Sequence, residues 1–194
     1  MAPNQLLQDM KDTAHSTAAA SDYDPHIFGL RQSTWIKTRS ADAGIKQGLK
    51  SLGHGLMRGA FTLTCMRILG GPESPCSDGL YELLFKCCTA DTVIREIFQK
   101  QRFQNLQIKD LAKASKLRDQ LFMFVAGIWL QTFSFKTICE WIDGVFDPLI
   151  RAAVVKFNEQ RVSSPPSRFF LIHFQTIFSA AAAVGFGHGR APTF

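Results

Sequence analysis

The chain has 194 residues, with 22 Lys and Arg against 16 Asp and Glu, for a net charge of +6 at pH 7. That length holds one ordinary domain with room for a tail, and the basic balance favours acidic partners such as anionic lipid. The basic residues are scattered, with no block of like charges and no aromatic-interleaved basic motif, so no nucleic-acid partner is expected. There are 17 Phe against 2 Tyr and 3 Trp. Phe has no polar handle, so the bias points to extensive apolar contact in a core, on lipid or on a partner.

Residues 1–43 are polar and read as an extended N-terminal arm lying over neighbouring protein. A short helix around Gln5–Ala19 would end before Asp24-Pro25, because the residue before proline is pushed out of the helical region. MAPNQLLQDMKDTAH carries Asp9 and Asp12 and no apolar centre, so no signal or transit peptide is read there.

Residues 44–108 read as an amphipathic helical region. Within it, 42–70 is predicted to be one helix, with Asp42 as its cap and Ile45, Leu49, Leu52, Leu56 and Met57 at helical spacing. Lys46, Lys50, His54 and Arg58 recur every fourth residue and are expected on the opposite face. Gly44, Gly48, Gly55 and Gly59 recur at near-multiples of four, a spacing that lets another helix backbone approach closely. They are the expected helix-packing residues, on a helix that is either buried or lying on a membrane. GGPESPCSDG (70–79) is a loop. Leu80–Cys88 restarts a helix, and Asp91 opens a turn that brings Val93, Ile94, Ile97 and Phe98 to one side.

The cysteines are Cys65, Cys76, Cys87, Cys88 and Cys139. An odd number without a secretory signal argues against a disulfide framework and the spacing matches no zinc pattern, so they read as reduced thiols used as small apolar residues, with a lipid acceptor or redox pair at the adjacent Cys87 and Cys88 as the alternative.

Residues 109–194 are predicted to form a membrane hairpin. Gln120–Phe135 is uncharged and sits inside what reads as one helix from Asp110 to Asp143, stopped by Gly144. Sixteen residues is short against the roughly 17 that a spanning helix needs. Flanking basic side chains can extend it by snorkelling, which gives a first expected span over roughly 119–137. Asp147-Pro148 then starts an interfacial helix over 148–162, SSPPS breaks it, and Phe169–His188 supplies a second uncharged run. That run, bounded by Arg168 and Arg190, gives a span over 168–188. Arg118, Trp129, Lys136, Trp141, Arg168 and Arg190 are the expected membrane anchors.

No HExxH, paired CxxC, Walker loop or GxSxG occurs. His173 reads as a neutral, hydrogen-bonded residue rather than a cofactor ligand. No catalytic, cofactor-binding or metal-binding residue is named, and no enzyme activity is expected.

The chain therefore reads as an all-α integral membrane protein with two spanning helices, amphipathic interfacial helices and an extended arm. Two weakly apolar spans bury little against each other, so other subunits and membrane lipids, including anionic ones, are the expected partners. The expected function is a non-catalytic accessory subunit of an organellar membrane complex, with a mitochondrial inner-membrane respiratory complex or ATP synthase as the leading setting. A soluble helical-bundle adaptor with both apolar runs buried, and a small channel or carrier, are the competing readings.

Overall fold

The computed structural model describes residues 3–25, 28–70, 78–100 and 116–163. The chain divides into two compact units, Met1–Asn158 and Glu159–Phe194, and the bundle described below is the first. The described residues are all-α, with no strand. In chain order the helices are α1 (Pro3–Ala19), α2 (Gln32–Ser40), α3 (Ala43–Ile68), α4 (Asp78–Cys88), α5 (Asp91–Lys100), α6 (Leu117–Thr132) and α7 (Phe135–Ser163).

The expected arm is instead part of the bundle. α1 buries Met10, Ala14 and Ala18, a stripe at four-residue spacing on one helix face, and Tyr23, Leu30 and Trp35 follow them into the core. Alanine carries little hydropathy, so this stripe is faint in the sequence although it packs closely on α4 and α5. The end of α1 is tied down by Lys100 of α5, whose ammonium donates to the Ala20 carbonyl and lies 5.4 Å from the Tyr23 ring centroid. A cation there also suits the negative end of the helix dipole.

α3 and α5 follow the sequence closely. The Asp42 carboxylate accepts the Ile45 N–H at 2.9 Å and so caps α3. α5 buries Val93, Ile94, Ile97 and Phe98.

The single helix expected from Asp110 to Asp143 is two helices. α6 ends at Phe133, which adopts φ 48°, in the left-handed region, while its N–H still reaches the Trp129 carbonyl at 2.7 Å. Ser134 then turns the chain: its N–H donates to Thr132 Oγ1 and its own Oγ accepts the Thr137 N–H, both at 3.2 Å. A serine that can cap a new helix competes with continuation of the old one. Residues 109–115 lie outside the described residues.

α7 in turn does not stop at Gly144. It runs through Pro148 to Ser163, so the separate interfacial helix expected over 148–162 is the second half of a 29-residue helix. Pro148 has no N–H to give the Gly144 carbonyl four residues back. The helix is held across that gap because Val145, Phe146, Leu149 and Ile150 are all fully buried on both sides of it.

No helix among the described residues is long and apolar enough to cross a membrane. The span expected over 119–137 is broken at Phe133, and Leu121 to Ile128 are eight consecutive residues buried by the rest of the chain. A helix apolar all round is a core helix when other helices surround it, and α6 has α2, α3 and α5 against it. The span expected over 168–188 lies outside the described residues. The phenylalanine excess fills this core: Phe61, Phe98, Phe124 and Phe146 are almost fully buried, with Phe124 5.2 Å from Trp141 and Phe61 5.8 Å from Phe146 between ring centroids.

Candidate docking surface on α3 and the turn after α6

α3 carries two apolar faces. The inward one consists of Gly53, Met57, Ala60, Phe61, Thr64 and Cys65. At Gly53 the backbone of α6 comes so close that a Cβ would strike the Phe122 carbonyl oxygen, 2.6 Å from its carbon and 3.2 Å from the Ala126 nitrogen. Only glycine fits there.

The outward face runs Ile45, Gly48, Leu52, Gly55, Gly59, Leu63, in steps of three and four residues. All six are exposed, Ile45 by 55% and Leu63 by 50%. None is charged. The expected apolar face is thus split, since Met57 turns inward while Ile45 and Leu52 face out.

The basic row expected opposite the core instead borders it and straps α3 to its neighbours. Lys50 Nζ lies 2.8 Å from Asp119 of α6, Arg58 pairs with Glu82 of α4, and the His54 ring centroid is 4.8 Å from that of Phe122. At the end of α3, Arg67 lies 3.0 Å from Asp143 and 3.6 Å from Asp147, while Thr64 donates to Asp143 at 2.6 Å. The hydrogen bond to Asp143 raises the already high pKa of the Arg67 guanidinium.

Of the four glycines expected to pack helices, none admits a neighbouring backbone among the described residues. Gly44 sits 3.5 Å from its own capping residue Asp42, and a Cβ on Gly48 or Gly55 would meet open space. On Gly59 it would lie 3.4 Å from the Phe135 ring. The close approach belongs to Gly53. The signal for it was the row of small residues Gly53, Ala60 and Thr64 at helical spacing.

The expected anchors also separate. Trp141 is 1% exposed in the middle of the aromatic core, where its indole N–H has no acceptor. Arg118 is used internally, donating from Nε and Nη2 to the Thr89 carbonyl at 3.3 and 3.2 Å. Trp141 is therefore not available as an anchor, whereas Arg118 is exposed and also ties down the residue after α4. Trp129 and Lys136 do reach the surface, beside the turn between α6 and α7. Arg168 and Arg190 lie outside the described residues.

That turn prolongs the outward face of α3, because the half-exposed Phe135 rests on Gly59. Leu130 is 41% and Phe133 72% exposed beside it. Gln131 fixes the segment before α2 to this end, donating to the Gly29 carbonyl at 3.0 Å and accepting the Arg31 N–H at 2.7 Å. Lys136 faces Glu140 at 3.8 Å, both largely exposed.

No protein-family model, curated protein or solved structure matches the chain.

Two further features bear on chemistry. Cys65, Cys87 and Cys88 are buried and form no disulfide, with Cys87 Sγ 3.8 Å from Cys88 Sγ. Burial pushes the Cys88 thiol well up, with the neighbouring thiols adding to it, so the nucleophilic thiolate is suppressed. Burial also raises Cys139, with Asp143 and Glu140 contributing. A cleft of about 970 Å³ between α1 and α7 is lined by Asp9, Asp12, Asp22, Asp24 and Lys156. Gln5 and Gln8 donate to Asp9 and Asp12. Among the described residues, no group of three or more His, Cys, Asp or Glu is arranged to hold a metal ion.

Proposed function

We propose that the chain is a non-catalytic helical subunit, built into a larger assembly at an organellar membrane by a partner helix docked on the outward face of α3. The observation that carries this reading is the makeup of that face. It is exposed and uncharged, and it alternates large apolar residues with glycines. Each glycine costs an isolated helix about 1 kcal/mol relative to alanine. Gly48 and Gly55 gain no packing from the described residues to offset that, whereas a second helix crossing there would use both the gaps and the adjacent Leu52.

The membrane setting rests on the sequence, through the net charge of +6 and the twenty uncharged residues from Phe169 to His188. The mitochondrial inner membrane, with a respiratory complex or ATP synthase as the host, is the compartment we put forward on the same grounds. A mild-detergent native gel with mass spectrometry of co-migrating proteins tests the reading. The native chain should run with a larger assembly, and Gly55→Leu should release it while keeping its fold. Migration of the native chain as a monomer would overturn the proposal.

A second reading, a helical-bundle adaptor acting away from lipid, is favoured by the burial of Leu121 to Ile128 within the chain itself. Alkaline carbonate extraction separates the two: release into the supernatant selects the adaptor.

A further inference from the structure

We propose that the end of the bundle formed by the α6–α7 turn seats in the headgroup region of an anionic lipid surface. Phe133 is the most exposed large apolar side chain among the described residues, and it projects from their only non-glycine position with positive φ. Leu130 and Phe135 flank it on the surface, and Leu63 of α3 lies one helical turn beyond the Gly59 on which Phe135 rests. Strain of this kind is retained where the side chain's position matters more than backbone comfort. Trp129 lies half-buried behind Phe133, with ring centroids 6.3 Å apart. An indole at that depth, below an apolar tip, is the arrangement found at a membrane interface.

Charge selects the surface. Two exposed basic residues belong to this end, Lys136 at the start of α7 and Arg31, whose main-chain N–H is held by Gln131. Glu140 offsets part of Lys136. An apolar tip with basic residues at the same end matches a leaflet carrying anionic headgroups. Partner docking rests on Gly48, Leu52 and Gly55, so the two readings are tested separately although Gly59, Leu63 and Phe135 adjoin both surfaces.

The three tryptophans make it testable in the full chain, because Trp35 and Trp141 are buried and Trp129 alone is within reach of lipid. Vesicles of phosphatidylcholine with about 30% phosphatidylserine, brominated in the acyl chains, should quench and blue-shift the Trp129 emission; pure phosphatidylcholine vesicles should do so far less. Phe133→Asn suits the left-handed backbone and keeps the fold, as its melting curve will show. It should weaken vesicle-dependent quenching by about tenfold. Lys136→Glu should erase most of the preference for anionic vesicles. Three results would each overturn the proposal. One is sedimentation with vesicles while Trp129 stays unquenched, which places the lipid contact elsewhere on the chain. Another is equal quenching by neutral vesicles. The third is Trp129 already shielded from iodide without lipid, which assigns this end to a protein partner.

Discussion

Glycines 53 and 55 are two residues apart on one helix and should respond to the same substitution with opposite sign. Gly53→Ala forces a methyl group into the backbone of α6 at Phe122, which no rotamer change can relieve, so α3 and α6 must separate. Overpacking typically costs about 1–3 kcal/mol, and the backbone clash here belongs at or above the top of that range. Gly55→Ala adds a methyl to open space and should stabilise the isolated chain by about 0.5–1 kcal/mol. Urea unfolding of the two variants measures both. Tyr23 sets a pH limit. Its hydroxyl donates to the Val145 carbonyl at 2.9 Å, and burial, helped by Cys88, pushes the phenol above its ordinary value of 10.0. The folded state therefore holds a proton that the unfolded chain releases, so this stability is complete below pH 10 and is lost progressively as pH rises beyond it. Cys88, raised above 9.0, acts in the same direction and starts earlier. The urea midpoint should be flat from neutrality to about pH 9 and then fall. Tyr23→Phe should lower it by about 1 kcal/mol at pH 7 through the lost hydrogen bond and make the alkaline fall shallower.

At the level of elements, the break between α6 and α7 decides whether the chain has one long helix or a helical turn with an apolar tip. Ser134→Ala removes the side chain that accepts the Thr137 N–H and should cost about 1 kcal/mol in thermal unfolding. Phe133→Gly removes the left-handed strain and should offset a similar amount. This junction was poorly legible in the sequence because it contains no glycine, proline or asparagine, and its turn is made by Thr132 and Ser134 side chains within an otherwise helical pattern. The reverse error occurred at Gly144 and Pro148, two breaker residues spaced four apart. There buried neighbours on both sides keep α7 continuous. α3 and α5 were legible because their start or spacing is local: an aspartate cap in one, four large apolar residues on one face in the other. The helix over Gln5–Ala19 was legible as a helix, but its place in the bundle was not, because its buried stripe consists largely of alanine. The docking surface was half legible. Its glycines were picked out by spacing, but which face pointed inward depended on Gly53 meeting α6 and Thr64 meeting Asp143 of α7.

Across the whole molecule, the first apolar run illustrates how a core helix and a membrane span share one signature. A helix surrounded by protein needs apolar residues on every side, as does one surrounded by lipid, and sequence periodicity does not separate the two. The structure separates them by supplying the surroundings: α2, α3 and α5 lie against α6, and Trp141 and Phe98 meet its Phe124. Amide exchange tests this directly. If the bundle itself covers α6, the amides of residues 121–128 in the detergent-free chain open only with global unfolding, so their exchange free energies should equal the unfolding free energy from urea. Adding micelles should leave them unchanged, because no new surface of α6 becomes available to cover. Fast exchange of these amides in buffer, slowed by micelles, would mean that lipid and not the chain surrounds this helix. The exposed turn should behave differently in the same experiment, with Phe135 and Lys136, which precede the internal hydrogen bonds of α7, exchanging rapidly and gaining protection only when anionic vesicles are present.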